Sequence, residues 1–441
     1  MTKCHFEGSK DFKMTFRYVN SVLNVDRQFN FQRQVDESIK NSTDIKLVIF
    51  DTEYILKQNV PYISKIEIPI YLLVGFPIYP SKFEGTNINK ISCIPKNNTE
   101  CGPSIEIISN SIVQIGPNLC PFDVRHAFTK NKLRNKNFRV TSYNILANVY
   151  SETSFSKDIL YPYCPHYALS MDYRKLLILK EIIGYNSDII CLQEVDATIY
   201  KNDLQISLSL AIFYNQEKFD KLSHDYSVIS QGINNLNEFN TVWSQIQDVS
   251  TKQTFLNRNT IIQLIVLRSK ENDEILIVGN THLYFRLKAN HIRLLQAYYG
   301  LLYLHTFSKK IKKENPECNV SILYCGDFNS TPQSAVYQLM TQNYVTNDHS
   351  DWISDSQEHV QNISIKHDLN LASACGIPEY TNYTATFSGC LDYIFYQTDY
   401  LAVKQVIPMP NKEELKIHTG LPSIVSPSDH IALCVDLKWL K

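Results

Sequence analysis

Hydrophobic and polar positions divide the chain into two regimes. From Ile45 to Cys120 the apolar runs are short and rich in Val, Ile and Tyr: Lys46 to Ile49, Tyr62 to Ile66, Tyr71 to Val74, Ile105 to Ile108 and Ile112 to Ile115. Pro, Asn and Gly separate them, a pattern that predicts a small, mostly β domain over 45–124. Residues 1–44 ahead of it are polar, with weak helical patterning. From Arg125 to Arg139, both ends included, stand six Lys or Arg and no acid. That stretch predicts a basic linker over 125–138, either simply solvated or in contact with RNA, and it opens a second domain over 139–441.

In the second domain the apolar period switches back and forth. Met171 to Ile183 carries Tyr173, Leu176, Leu177, Leu179, Ile182 and Ile183 at helical spacing, with Asp172 near its start and Gly184 just past its end. His291 to Ile311 repeats the helical pattern. Shorter apolar runs follow or precede these helices: Arg139 to Tyr143, Asp188 to Leu192, Ile275 to Asn280, Val320 to Cys325, Leu391 to Phe395 and Ile431 to Val435. Alternating strands and helices predict an α/β domain with helices covering sheet. There is no internal repeat at the level of sequence identity, which does not exclude a sandwich built of two similar halves.

The chemistry sits where these runs end. Gln193 and Glu194 follow one run, and Thr281 and His282 another. Gly326, Asp327, Phe328 and Asn329 follow a third, while Ser428, Asp429 and His430 precede a fourth. Residues two apart on a strand point the same way, so Asp327 and Asn329 can serve one site. A hard cation such as Mg²⁺ takes carboxylate and amide oxygens, which makes Glu194 the natural primary ligand. Asp327 can orient or deprotonate a water, and Asn329 can donate to a phosphate oxygen without adding charge. His430 can donate to a scissile phosphate or protonate a leaving oxygen, with Asp392 as the carboxylate that fixes its tautomer. His282 fits a second phosphate contact. Each has a plainer alternative: a strand-end carboxylate for Glu194, an Asx turn for Asp327 and Asn329, core histidines for His282 and His430.

Composition narrows the possibilities. The chain has 441 residues, 44% hydrophobic and 20% charged, with a formal net charge of −1. Two domains fit that length, and wholesale coating of a polyanion does not fit that charge, so any nucleic-acid contact must be local. The 11 cysteines include no C-x-x-C pair and fall partly inside apolar runs, as expected of reduced core thiols. No stretch reaches the ~20 apolar residues of a membrane span. The N-terminus mixes Lys3, Lys10, Lys13 and Arg17 with Glu7 and Asp11, and has the character of neither a secretory signal nor a transit peptide.

Taken together, the motifs resemble the endonuclease/exonuclease/phosphatase superfamily. Ser142-Tyr143-Asn144-Ile145-Leu146-Ala147, Tyr161-Pro162-Tyr163-Cys164, Leu192-Gln193-Glu194-Val195-Asp196 and Asn280-Thr281-His282-Leu283-Tyr284 are similar to its branch of nocturnin and the poly(A) deadenylases. Tyr380-Thr381-Asn382-Tyr383, Gly389 to Phe395, Val406-Ile407-Pro408 and Pro427 to Leu433 narrow the resemblance to members acting on 2′,5′-linked oligoadenylate. It covers about residues 45 to 441.

The resemblance implies a two-sheet α/β sandwich of the deoxyribonuclease I-like type behind the small β domain. It implies an Mg²⁺-dependent phosphodiesterase and 3′-exoribonuclease, with Mn²⁺ able to substitute. Such an enzyme hydrolyses 2′,5′-oligoadenylate and trims 3′ poly(A) tails of RNA, releasing AMP in the mitochondrial matrix; because the N-terminus lacks transit-peptide character, a cytoplasmic location is the alternative. By residue, Glu194, Asp327 and Asn329 match the metal and catalytic positions. Asn144, His282, Asp392 and His430 match supporting cleft residues, and Asn382 and Phe387 fall in the adenine-binding region. Two departures stand out. Ala197 to Leu210 is shorter than the family pattern, so that a sheet strand is expected to be missing, and Leu287 stands where relatives carry Pro. They keep open a catalytically impaired RNA-binding relative, and a small-ligand phosphatase is the third reading.

Overall fold

The computed structural model describes residues 120–195 and 210–440 in full and the backbone of nine strands among the first 119 residues. The chain divides into two compact units, Met1–Asn118 and Leu119–Lys441. In the first, Ser21–Val25, Met14–Tyr18, Asp44–Ile49, Thr52–Lys57 and Pro95–Lys96 form one antiparallel sheet in that order. Tyr62–Glu67 pairs with Lys82–Thr86, and Tyr71–Leu73 runs parallel to Ile112–Gln114. The expected β character is present. Two of the strands lie within 1–44, where the sequence showed only weak helical patterning, because cross-strand pairing overrides a weak local preference. The expected strand Ile105 to Ile108 lies outside the described residues, as does the shortened segment Ala197 to Leu210 except for Leu210 itself.

The second unit is a sandwich of two mixed sheets. Numbering its strands from the unit's start, β1 (Asn137–Asn144), β2 (Ile189–Gln193), β3 (Leu210–Tyr214), β4 (Phe219–Val228), β5 (Ile261–Ser269) and β6 (Ile275–His282) come first. They are followed by β7 (Val320–Asp327), β8 (Leu371–Ser373), β9 (Asp392–Gln397), β10 (Leu401–Val406) and β11 (Leu433–Trp439). One sheet has the order β3-β2-β1-β11-β10, the other β4-β5-β6-β7-β9-β8. Each sheet contains one parallel pair, β1 with β2 and β6 with β7. A helix makes each crossover: α1 (Met171–Gly184) and α2 (Asn290–Glu314). The two halves are therefore alike in construction without a sequence repeat.

Pleating explains why the central strands read as unbroken apolar runs. On β5, Ile262, Leu264 and Val266 face α2, while Ile265 and Leu267 face the opposite sheet. On β7, Ile322 and Tyr324 join the first cluster and Leu323 and Cys325 the second. Both faces are covered, so both sets must be apolar. The outer face of the other sheet is buried as well but includes charged groups. Arg139 holds Asp436 through two hydrogen bonds, 2.6 and 3.0 Å, and donates to the carbonyls of Thr129 and Tyr185.

Three boundaries differ from the sequence-based expectation. The second unit begins at Leu119, ahead of the basic stretch, because Arg125 is buried and donates to Pro408 O at 2.8 Å and Ala432 O at 2.7 Å. Gly184 does not stop α1 but lies within it: a Cβ there would come 2.1 Å from the His126 ring, so the glycine makes room for a close approach. The last strand starts at Leu433 rather than Ile431, because the Ile431 N–H is taken by Thr381 O at 2.7 Å. Eight described cysteines are free thiols, six of them buried, as the core-thiol reading expected. No helix among the described residues is long and apolar enough to cross a membrane.

Candidate active site

The two strands of each parallel pair end side by side, and both pairs end at one rim. Asn144 at the end of β1 lies beside Gln193 at the end of β2. His282 at the end of β6 lies beside Asp327 at the end of β7, which faces Asp392 of β9. The chain then turns sharply. Leu146, Glu194 and Asn329 all have left-handed backbone, with φ of 57°, 57° and 48°. For non-glycine residues each such turn costs on the order of 1 kcal/mol, a cost the surrounding contacts must offset. Gly326 has φ +152° and passes so close to β6 that a Cβ would lie 2.1 Å from Thr281 O.

Asn144 joins the two halves. Its Nδ2 donates to Glu194 Oε1 and to Asp327 Oδ2, both at 3.0 Å, while its Oδ1 accepts from Leu146 N. The Ala147 N–H holds Glu194 Oε2 at 2.8 Å. The Asn329 N–H donates to Asp327 Oδ1 at 2.8 Å, and its Nδ2 donates to Leu283 O. Asp327 Oδ2 lies 3.5 Å from His282 Nε2 and 3.6 Å from His430 Nε2.

The second group is built around Asp392. His430 Nδ1 lies 2.8 Å from Asp392 Oδ2, and Thr381 Oγ1 donates to the same oxygen at 2.6 Å. Thr381 Oγ1 in turn accepts from the N–H groups of Leu391 and Asp392. Burial alone would push the His430 pKa down, but the Asp392 and Asp327 carboxylates outweigh it and hold the imidazole well above its ordinary value. Asp392 is raised, first by burial and then by Asp327, with His430 opposing. Asn382 reaches the site through Asp429: its Nδ2 donates to Asp429 Oδ2 at 3.2 Å, as does Tyr161 OH at 3.0 Å. Phe387 is half-exposed, between the two paired strands Asn382–Tyr383 and Ser388–Gly389.

The structure thus brings Asn144, Glu194, His282, Asp327, Asn329, Asp392 and His430 into one connected cluster, with Asn382 one residue removed and Phe387 on the adjoining hairpin. Asp327, Asp392 and His430 place ligand atoms within 4.8 Å of one another. Because His430 Nδ1 is committed to Asp392, this trio suits proton handling. Glu194 and Asp327, converging on one amide nitrogen, suit a hard cation: among the described residues their ion-pair partners are histidines, not Lys or Arg.

Sequence reasoning assigned nothing to Thr381, although it stands in the Tyr-Thr-Asn-Tyr motif. It also missed the clamp between the sheets. Gln193 Nε2 donates to Asn280 Oδ1 at 2.8 Å, and Asn280 Nδ2 donates to Leu192 O at 2.9 Å. Both amides are fully buried, and no local spacing signals that they meet.

Comparison with known proteins agrees with this geometry. The model of the Endonuclease/Exonuclease/phosphatase family matches residues 141–430. Human 2′,5′-phosphodiesterase 12 is 35% identical, with 89% of this chain and 76% of that protein aligned. The Schizosaccharomyces pombe CCR4-Not complex 3′-5′-exoribonuclease subunit Ccr4 is 30% identical over 69% of this chain and 49% of its own. Among solved structures, the 2′,3′-cyclic phosphatase ANGEL2 superposes with a TM-score of 0.53 at 22% identity, covering 70% of this chain and 97% of that one. With its two sheets, its polar rim and these relatives, the chain belongs to the endonuclease/exonuclease/phosphatase family.

Proposed function

We propose that this chain is a phosphodiesterase and 3′-exoribonuclease that hydrolyses 2′,5′-linked oligoadenylate and adenylate-rich 3′ ends of RNA, releasing AMP, with Mg²⁺ as cofactor and Mn²⁺ able to substitute. The observation that carries this reading is the meeting of Glu194, Asp327 and the Asp392–His430 pair around the single amide of Asn144. Glu194, with Asp327 and Asn329, would hold the cation, which when bound neutralises charge gathering on the phosphate.

The remaining chemistry belongs to the protein. Asp327, fixed on both oxygens by Asn329 N and Asn144 Nδ2, orients the attacking water and accepts its proton. His430, kept protonated by Asp392, presents its Nε2 proton to the leaving oxygen. Thr381 keeps the Asp392 carboxylate turned toward Nδ1. His282 and the second Asn329 amide proton are donors for non-bridging phosphate oxygens. Asn382 and Phe387 are the residues proposed to contact an adenine, Phe387 by stacking, and a stacked base contributes ~1–3 kcal/mol.

The relatives' names, a 2′,5′-phosphodiesterase and a 3′-5′-exoribonuclease, support the two linkages of the reading; the mitochondrial matrix is the compartment proposed with it. The test is AMP release from 2′,5′-triadenylate and 3′,5′-triadenylate, with Mg²⁺ and with EDTA. Metal-dependent release, faster from the 2′,5′ linkage, is expected. A folded preparation that releases AMP from neither substrate overturns the reading.

A further inference from the structure

Arg174, in the first turn of α1, carries a buried charge that the bond-breaking step does not use. The residue is fully enclosed. Its Nε donates to Leu169 O, its Nη1 to both Ile145 O and Pro427 O, each at 3.0 Å, and its Nη2 to Ser151 Oγ at 2.8 Å. All four acceptors are neutral. Burial lowers the pKa of Arg174, and Asp429, Tyr143, Glu194 and Glu152 oppose that fall. Neutral donors would serve neutral acceptors without the cost of burying a charge, so the guanidinium is kept for its shape and for the acids it faces.

The two carbonyls on Nη1 belong to the two segments that carry the site. Ile145 lies between Asn144, whose amide joins Glu194 to Asp327, and Ala147, whose N–H holds Glu194 Oε2 at 2.8 Å. Pro427 precedes Ser428, whose hydroxyl donates to Asn144 O at 2.7 Å and accepts from His430 N at 3.1 Å. Leu146, inside the first segment, has left-handed backbone with φ 57°, which persists only where its surroundings over-determine it. Ser151, fully buried, belongs to the chain that leaves this turn. A guanidinium is planar and presents its donors in a fixed fork. One rigid group therefore fixes the turn, the chain beyond it and the segment leading to His430, which a flexible ammonium cannot do.

We infer that Arg174 is a positioning residue, which sets the spacing between the Asn144–Ala147 turn and the Ser428–His430 segment by holding Ile145 O and Pro427 O on a single nitrogen. It acts through Ala147 N on Glu194 and through Ser428 on His430. The inference rests on the phosphodiesterase reading above and deepens it.

The test compares the full-length wild type with Arg174→Lys and Ser151→Ala. Leu301→Ala, at a fully buried α2 position outside these contacts, measures the effect of destabilisation alone. Arg174→Lys keeps the charge and loses the fork, while Ser151→Ala keeps Arg174 and frees one of its arms. Activity per folded molecule is read as kcat and KM for 2′,5′-triadenylate in Mg²⁺, folding as the urea midpoint, and cation affinity from the electron paramagnetic resonance of Mn²⁺ without substrate. In Arg174→Lys kcat should fall and the Mn²⁺ dissociation constant rise, each roughly ten- to a hundredfold, the scale seen when groups that orient a ligand are lost, with KM little changed. Ser151→Ala should move both in the same direction by less. Leu301→Ala should lower the urea midpoint and neither of the others. If Arg174→Lys does not fold, Ser151→Ala decides by the same two readouts. Wild-type kcat and Mn²⁺ affinity in the variants that fold, or losses no larger than those of Leu301→Ala, overturn the inference. A wild type that binds Mn²⁺ but releases no AMP refutes the phosphodiesterase reading, and the Mn²⁺ affinities then decide the positioning role. A folded wild type that does neither overturns both.

Discussion

Thr381→Val removes one oxygen and nothing else of consequence to shape, and the structure says what that oxygen does. Its hydroxyl donates to Asp392 Oδ2 at 2.6 Å and accepts from Leu391 N at 2.8 Å and Asp392 N at 3.1 Å. Thr381 itself is fully buried, so neither stranded N–H finds water. A hydrogen bond to a charged group is worth about 1.5–3 kcal/mol, and each unsatisfied buried donor costs about 1–3 kcal/mol. With one N–H partly re-paired by relaxation, the variant should lose about 2–5 kcal/mol of unfolding free energy, read as a lower urea midpoint at unchanged slope. Activity falls further than folding, because Asp392 then has one donor fewer to hold it toward His430 Nδ1; a tenfold to hundredfold loss in kcat is the scale of a misplaced general acid. Thr381→Ser restores the hydroxyl and should recover both readouts. A valine variant with the urea midpoint and kcat of the serine variant would show that the Thr381 hydroxyl neither holds the turn nor positions Asp392, and the reasoning would fail.

Other expectations follow from the same contacts. Asn144→Ala removes the one donor shared by Glu194 and Asp327, whose oxygens can be no more than 6.0 Å apart, twice the 3.0 Å of each bond. Their repulsion at that separation is about 3 kcal/mol for an effective dielectric near 20, so kcat/KM should drop roughly hundredfold. Asn144→Asp, which adds a third carboxylate, should be worse, and an aspartate variant as active as wild type counts against the bridging role. Gly326→Ala forces a Cβ to 2.1 Å from Thr281 O in a backbone that side chains avoid; loss of soluble protein or of several degrees in melting temperature is expected, and wild-type behaviour would contradict it. Acid should destabilise the second unit. Burial lowers the pKa of His126, His291, His305 and His367, so below about pH 6.5 the unfolded chain takes up protons that the folded one refuses. Their stabilisation is complete above that pH and is lost below it, while the raised His430, Asp392 and Glu181 act in the opposite sense. The urea midpoint should be lower at pH 5.5 than at pH 7.5, and a midpoint that rises on acidification would refute the balance.

How much of this was legible in the chain depends on the range of the interaction. Helices α1 and α2 and the strands before Glu194, His282 and Asp327 follow from periodicity, because the pattern that buries one face is local. So does the clustering of Glu194, Asp327, Asn329 and His430 at strand ends, where side chains stop being covered by neighbours. The expected pairing of Asp392 with His430 also appears, at 2.8 Å. The boundary near Arg125 was read too late, since a run of cations looks the same whether it is solvated or, as with Arg125 itself, spent on the carbonyls of Pro408 and Ala432.

What the sequence determined by itself is therefore the identity of the polar groups that gather at the strand ends and the elements that carry them. Only the tertiary structure decided their geometry. Asn144, more than a hundred residues from Asp327, shares one amide between two carboxylates. Gln193 and Asn280 meet through the interior, and Thr381 stands under Asp392. These contacts arise from packing one sheet against another, so their partners are set by the three-dimensional register of strands, which no neighbouring residue in the chain records.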